Sequence, residues 1–202
     1  MARRSGLPVV GIDLAGSERR DTGFCVMGPH MRCRTAVLRT DQEVLRLTSE
    51  AGPSVVSIDA PLFLPRGRES LEKPGPPHFR ECDKELLRMH IRFFPISLGP
   101  MRMLTARGIK LRTALEARGF EVIESFPGAV QDLLGMPRKQ KGLRELEGAL
   151  RRYGIGLGLR KGGFSGDELD AVTSALVGFL YRNGEYRAIG DPGEGLMILP
   201  AV

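Results

Sequence analysis

The sequence predicts an α/β fold: a mixed sheet, in which a three-strand antiparallel meander is continued by parallel strands, flanked by helices. Three observations predict it. Three short apolar, β-branched segments open the chain with only tight turns between them. Later strand-like segments are separated by stretches of helical spacing, the pattern of parallel crossovers. The 202 residues are 42% hydrophobic and 27% charged, an ordinary composition for a chain that buries a core. That length suits one domain over residues 1–202, with a helical and loop insertion at about 65–119.

Leu7–Ala15 is apolar and ends in Asp13-Leu14-Ala15-Gly16, a buried strand breaking into a glycine turn. Thr22–Met27 and Met31–Leu38 follow as strands, joined by Gly28-Pro29-His30. Thr40-Asp41-Gln42-Glu43 has the form of a capping box, and Val44, Leu47 and Ala51 continue at helical spacing until Gly52-Pro53. Ser54–Ile58 is a fourth strand that runs into Asp59 and is ended by Pro61. Residues 65–79 form a basic, Pro- and Gly-rich loop carrying Arg66, Arg68 and Lys73. Arg80–His90 is helical in pattern. Pro100 sits in the first turn of the next helix, where Met101, Leu104, Leu111 and Leu115 make an apolar stripe closed by Gly119. Phe120–Phe126 is a fifth strand carrying Glu124. Leu143, Leu146, Leu150 and Tyr153 mark another amphipathic helix, followed by a Gly-rich loop over 154–166. Ser165 and Glu168 form a second capping box, opening a helix to about Arg182, and Gly195–Pro200 is a short final strand. This order of strands and helices is that of a ribonuclease H-like sheet.

Composition narrows the function classes. Thirty Lys and Arg against 24 Asp and Glu give a net charge of +6. The excess is mostly arginine, which reads phosphate with two donors, so the balance suits a polyanionic partner such as nucleic acid. Cys25, Cys33 and Cys82 form no C-x-x-C pair, which points to a reducing compartment without a disulfide frame or zinc site. His30, His78 and His90 are scattered, and no H-E-x-x-H is present. No apolar run approaches the roughly 20 residues of a membrane-spanning helix. Met1–Ser5 is basic but is followed by no apolar signal core, so the expectation is a cytoplasmic protein without membrane contact.

The chemistry concentrates in carboxylates. Asp13, Asp59 and Glu124 each lie at or near the C-terminal end of a predicted buried strand, the edge where open α/β sheets bind ligands. Asp167 and Asp170 are three residues apart on the last long helix, on one face, while Leu169, Val172, Leu176 and Leu180 lie on another that would pack against the sheet. Carboxylates brought together repel unless protonated or bridged by cations. Oxygen donors of this kind suit Mg²⁺ or Mn²⁺. Two such ions would activate a water and stabilise a leaving oxygen without a covalent nucleophile. The candidate set is therefore Asp13, Asp59, Asp167 and Asp170 as metal ligands with Glu124 in support, and Ser17, Arg66, Arg68 and Arg80 as phosphate contacts.

Six segments in order carry a resemblance: Gly11-Ile12-Asp13-Leu14-Ala15-Gly16, Ser57-Ile58-Asp59-Ala60-Pro61, Arg80-Glu81-Cys82-Asp83, Glu124-Ser125-Phe126-Pro127, Gly166-Asp167-Glu168-Leu169-Asp170-Ala171 and Gly190-Asp191-Pro192-Gly193-Glu194-Gly195. Together they resemble the domain-of-unknown-function family 429, a group predicted to be nucleases of ribonuclease H fold. Asp13, Asp59 and the Asp167/Asp170 pair also resemble the acidic set of Holliday-junction resolvases, which place two acids on the final helix. The sequence departs from that set at Asp59, where such resolvases carry Glu, and Glu124 has no counterpart among them. The resemblance implies a metal-dependent nuclease.

Each residue also has a plainer account. Asp13, Asp59 and Asp191 suit turns, because Asp bonds nearby backbone N–H groups. Asp167 suits the first turn of a helix, where the dipole favours acids, a benefit that fades by Asp170. Glu124 suits a pair with an arginine, Arg80 and Asp83 a helix-surface ion pair, and the basic loop a solvated face. Two other functions stay open: a nucleotide-binding phosphotransfer protein of the actin and sugar-kinase kind, whose first turn Asp13-Leu14-Ala15-Gly16 mimics, and a non-catalytic nucleic-acid-binding module. The first needs two such domains around its nucleotide. The second leaves several acids at one edge unexplained.

Overall fold

The computed structural model describes residues 6–73 and 75–202. The basic start Met1–Ser5 and Pro74 of the basic loop lie outside the described residues. The elements run β1 (Val9–Asp13), β2 (Thr22–Met27), β3 (Arg32–Leu38), α1 (Asp41–Ala51), β4 (Val55–Asp59), α2 (Glu81–Arg88), α3 (Gly99–Glu116), β5 (Val122–Ser125), α4 (Pro127–Leu133), α5 (Leu143–Arg152), β6 (Gly156–Leu157), α6 (Gly166–Asn183), β7 (Tyr186–Asp191) and β8 (Gly195–Pro200). A 3-10 turn at Lys139–Lys141 precedes α5.

Among the described residues the strands form one eight-stranded sheet in the order β6-β3-β2-β1-β4-β5-β8-β7. β1, β2 and β3 make the antiparallel meander, and β4, β5 and β8 add parallel strands beyond β1. The run β3-β2-β1-β4-β5, with β2 alone reversed, is the ribonuclease H-like arrangement. Three elements lacked a sequence signal. β6 is two residues paired to Arg32 and Cys33, too short to show a period inside the Gly-rich loop. β7 pairs with β8 through a half-exposed face without regular alternation. The proline that closes the fifth strand also opens α4, where its fixed φ suits the first helical position.

Local chemistry accounts for the helix ends. Thr40 and Ser165 both close reciprocal capping boxes, with Glu43 and Glu168 returning the bond. Gly52 stops α1 in the left-handed region at φ 55°, a conformation glycine adopts without a Cβ clash.

Two apolar cores lie on opposite faces of the sheet. Val10, Ile12, Val56 and Ile58 pack with Val44 of α1 and Leu111 and Leu115 of α3. Val9 and Val55 join the other core with α2, α4, α5 and α6. α6 lies almost in contact with the sheet backbone. A Cβ at Gly11 would fall inside the shells of Ala171 O and Ala175 N, and one at Gly23 inside that of Asp167 O. The residues of α6 that meet β1 are thus the small Ala171 and Ala175. Leu169, Val172, Leu176 and Leu180 are buried as well, because α4 and α5 enclose the helix. Among the described residues no helix is long and apolar enough to cross a membrane.

Candidate functional site

The pleat of the sheet selects which acids meet. Side chains alternate along a strand, so Gly11 and Asp13 share one face of β1, opposite Val10 and Ile12. In the parallel register Gly11 pairs with Ser57 and Asp13 with Asp59, which puts both aspartates on the α6 side of the sheet. The close approach of α6 at Gly11 and Gly23 then lays its first turns across the same edge. Asp13, Asp59, Asp167 and Asp170 are brought together in this way, with Asp167 the most exposed of the three that share one cation.

That cation is Lys139, from the 3-10 turn. Its Nζ lies 3.2 Å from Asp13 Oδ2, 3.2 Å from Asp167 Oδ1 and 2.8 Å from Asp170 Oδ2. Gln131 of α4 donates from Nε2 to the other oxygen of Asp170, Oδ1, at 2.8 Å and fixes its orientation. Burial pushes the Asp13 carboxyl up to about 7; Lys139 opposes the rise, and the charges of Asp170 and Asp167 add to it. Asp59 is raised well above the usual carboxylate range, first by burial and then by Asp13 and Asp170. Burial works against the charge on Lys139, but its carboxylate neighbours outweigh that and hold its pKa above the ordinary lysine value. The cluster is therefore short of positive charge even with Lys139 in place.

Glu124 is held in a separate network, near enough for its charge to add to the rise at Asp59. It pairs with Ile58, while Asp59 pairs with Ser125, so the pleat turns Glu124 toward the opposite face from Asp59. Its Oε2 accepts from Leu62 N at 2.7 Å and from Arg80 Nη1 at 2.7 Å. Arg80 also donates to both carboxylate oxygens of Asp83, and only 3% of its side chain is exposed. Burial raises the Glu124 pKa despite these partners. Arg80 thus spends its donors inside the protein. Arg66 pairs with Asp191 at 2.9 Å, and Arg68 ties the carbonyls of Lys73, Gly75 and Pro77 together. Ser17 lies in the turn after β1, where its carbonyl accepts from Arg20 N. Among the described residues none of these four bonds to the aspartate cluster, although Arg80, like Glu124, lines the same cleft as Asp59 and Asp170.

Three positioning residues carried no signal in the sequence. Lys139 and Gln131 lie in elements with no strong periodicity. Arg107 is buried at 7% exposure in α3 and donates to Ala15 O, Arg39 O and Asp41 Oδ1, each at 2.7 Å, which pins the turn that follows Asp13. Arg107 occurs in an otherwise ordinary helical stretch, so only its partners, all distant in sequence, distinguish it.

Two clefts meet at the cluster. One of about 920 Å³ reaches Asp59 and Asp170 and is lined mainly by aromatic and aliphatic side chains, with Arg80, Asp83 and Glu124 among them. The other, of about 490 Å³, reaches Asp13 and Asp167 and carries Arg19, Arg20 and Arg39. Lys139, Met101 and Leu104 line both. Among the described residues no group of three or more His, Cys, Asp or Glu side chains stands arranged to hold a metal ion; the three aspartates are spaced around an ammonium instead. Their donor chemistry nonetheless suits a hard cation. The three ion-pair partners of Lys139 Nζ are carboxylate oxygens, and the pKa values of Asp13 and Asp59 are raised first by burial and then by neighbouring carboxylates.

Fold and site together define a ribonuclease H-like α/β protein with an aspartate cluster at the C-terminal edge of its central strands. The chain belongs to the family described as "Protein of unknown function (DUF429)", which matches residues 11–194. Two solved structures of RuvC from Thermus thermophilus are similar to it. One, in complex with a Holliday junction substrate, is 18% identical with a TM-score of 0.48, covering 88% of this chain and 96% of that one. The other is 17% identical with a TM-score of 0.48, covering 88% and 97%. No curated protein matches the sequence.

Proposed function

We propose that this protein is a metal-dependent nuclease that hydrolyses phosphodiester bonds of nucleic acid, with Asp13, Asp59 and Asp170 holding Mg²⁺ or Mn²⁺ and Asp167 completing the set from the open side. The observation that carries this reading is the convergence of three carboxylates from β1 and α6 on one cationic position, beside a fourth from β4. When bound, a divalent ion supplies charge neutralisation for the phosphate and acidity for an attacking water. The rigid strand ends fix Asp13 and Asp59, and Gln131 fixes Asp170, so the donors need little reorganisation. Lys139 balances the carboxylates in the absence of metal. Its side chain is 30% exposed and lines both clefts, where its ammonium would be placed to pair with a phosphate. Glu124 and Arg80 brace β5 against α2 and line the larger cleft beside Asp59 and Asp170. The net charge of +6 and the arginines of the smaller cleft suit a polyanionic substrate.

The test is a cleavage assay of wild type and Asp13→Asn on labelled DNA and RNA single strands, hybrids and branched junctions, with Mn²⁺, Mg²⁺ or EDTA. Cleavage is expected only with metal, and at least about 100-fold slower in the variant. A folded Asp13→Asn protein with full activity would overturn the mechanism.

A further inference from the structure

The larger cleft differs in chemistry from the acids it adjoins. Phe93, Phe94, Phe126, Met101 and Leu87 line it beside the buried Arg80, Asp83 and Glu124, and Phe94 is 70% exposed. Such an exposed aromatic contributes nothing to the core. The cleft volume, about 920 Å³, lies at the upper end of the roughly 300–1,000 Å³ typical of small-ligand sites. At its inner end Ser125 Oγ is buried with no hydrogen-bond partner, directly beside Asp59 in the sheet register. Arg138 sits over the Phe126 ring at 5.8 Å and lines the same cleft. Across the aspartates, the smaller cleft is hydrophilic and carries Arg19, Arg20 and Arg39, the last paired to Asp21 at 2.8 Å.

An aromatic wall, a row of carboxylates and an arginine-lined groove thus follow one another across a single surface. That sequence of chemistries matches one nucleotide and the backbone that continues from it. We infer that the larger cleft receives an unstacked base of a single-stranded nucleic acid, placing the adjoining phosphate at the aspartates and the next phosphates along Arg19 and Arg20. Stacking on an aromatic ring tolerates any base, because every base has a π face. Ser125 Oγ offers the base edge one donor or acceptor. A paired base cannot enter, since its stack and its partner strand occupy the space the walls need. The protein therefore selects strands that are unpaired at the reacting nucleotide. This inference rests on the nuclease reading only for the position of the phosphate.

Binding separates the two ideas. Fluorescence anisotropy would compare a labelled ten-nucleotide single strand, the same strand with abasic sites, its blunt duplex and a free mononucleotide as competitor, in EDTA and in Mn²⁺. The base-containing strand is expected to bind about 10-fold more tightly than the abasic strand or the duplex. Phe94→Ala, at an exposed position, is expected to weaken the base-containing strand to the abasic level and leave the abasic strand unchanged. Equal binding of strands with and without bases would overturn the inference. So would equal loss for both in Phe94→Ala, tighter binding of duplex, competition by the mononucleotide at the strand's own affinity, or no nucleic-acid binding. Base-dependent binding without cleavage of any substrate would sink the nuclease reading and keep this one; metal-dependent cleavage with base-independent binding would do the reverse.

Discussion

Asp59 and Glu124 end neighbouring parallel strands one register step apart, yet they sit in opposite kinds of surroundings. Glu124 is dry and fully engaged: an arginine and a backbone N–H satisfy it, and Asp83 shares the same guanidinium. Asp59 belongs to a cluster in which three other carboxylates share one partly exposed lysine between two clefts. The first network is closed, with its charges matched inside the protein. The second is open and undercharged. An acid at a sheet edge is therefore not by itself a functional group. What separates the two cases is whether the fold has already supplied a fixed cation with matching geometry.

The largest way to break this comparison is Arg80→Met. It removes the guanidinium that partners the buried carboxylates of Glu124 and Asp83. A loss of about 3–5 kcal/mol is expected in urea unfolding. A loss under 1 kcal/mol would show that the network is not closed.

The open cluster should instead report through pH. Asp13 is an acid whose folded pKa, raised by burial to about 7, lies above its ordinary value of 3.8. Between those values the native state holds a proton that the unfolded chain releases. Its contribution is full below about pH 4 and is lost as pH rises toward 7, by up to about 1.4 kcal/mol per pH unit. In EDTA, Asp13→Asn should therefore gain stability on the wild type between pH 5 and pH 7. A difference that stays constant across that range would remove the electrostatic account of the cluster.

The smallest effect is expected from Lys139→Met, the counterpart of the arginine substitution. Its carboxylates open onto two clefts and can take up water or protons, so the cost at pH 7 should be only about 1 kcal/mol. If it matched the cost of Arg80→Met, the two networks would be equivalent after all.

Much of the framework was legible in the sequence. Short apolar, β-branched runs bounded by turns marked β1, β2, β3 and β4, and the two capping boxes marked the starts of α1 and α6. Asp13 and Asp59 stood out because each follows an uninterrupted apolar run, and such a run ends where the strand leaves the sheet. Glu124 carried the same local signature and joined a separate network with Arg80. Its difference from Asp59 is a single register step between β4 and β5, and register arises from the pairing of strands, which no segment encodes alone. Lys139 was invisible for a related reason. It reaches Asp13 across 126 positions and Asp167 across 28, through a short turn with no period to read.

The sequence by itself determined most of the elements, their order and which residues end them, because propensity, periodicity and capping act locally along the chain. Only the tertiary structure decided which acids share a face, which are already neutralised and where the cation sits. Those outcomes depend on sheet order and on the close seating of α6 at Gly11 and Gly23, where contacts join residues far apart in the chain.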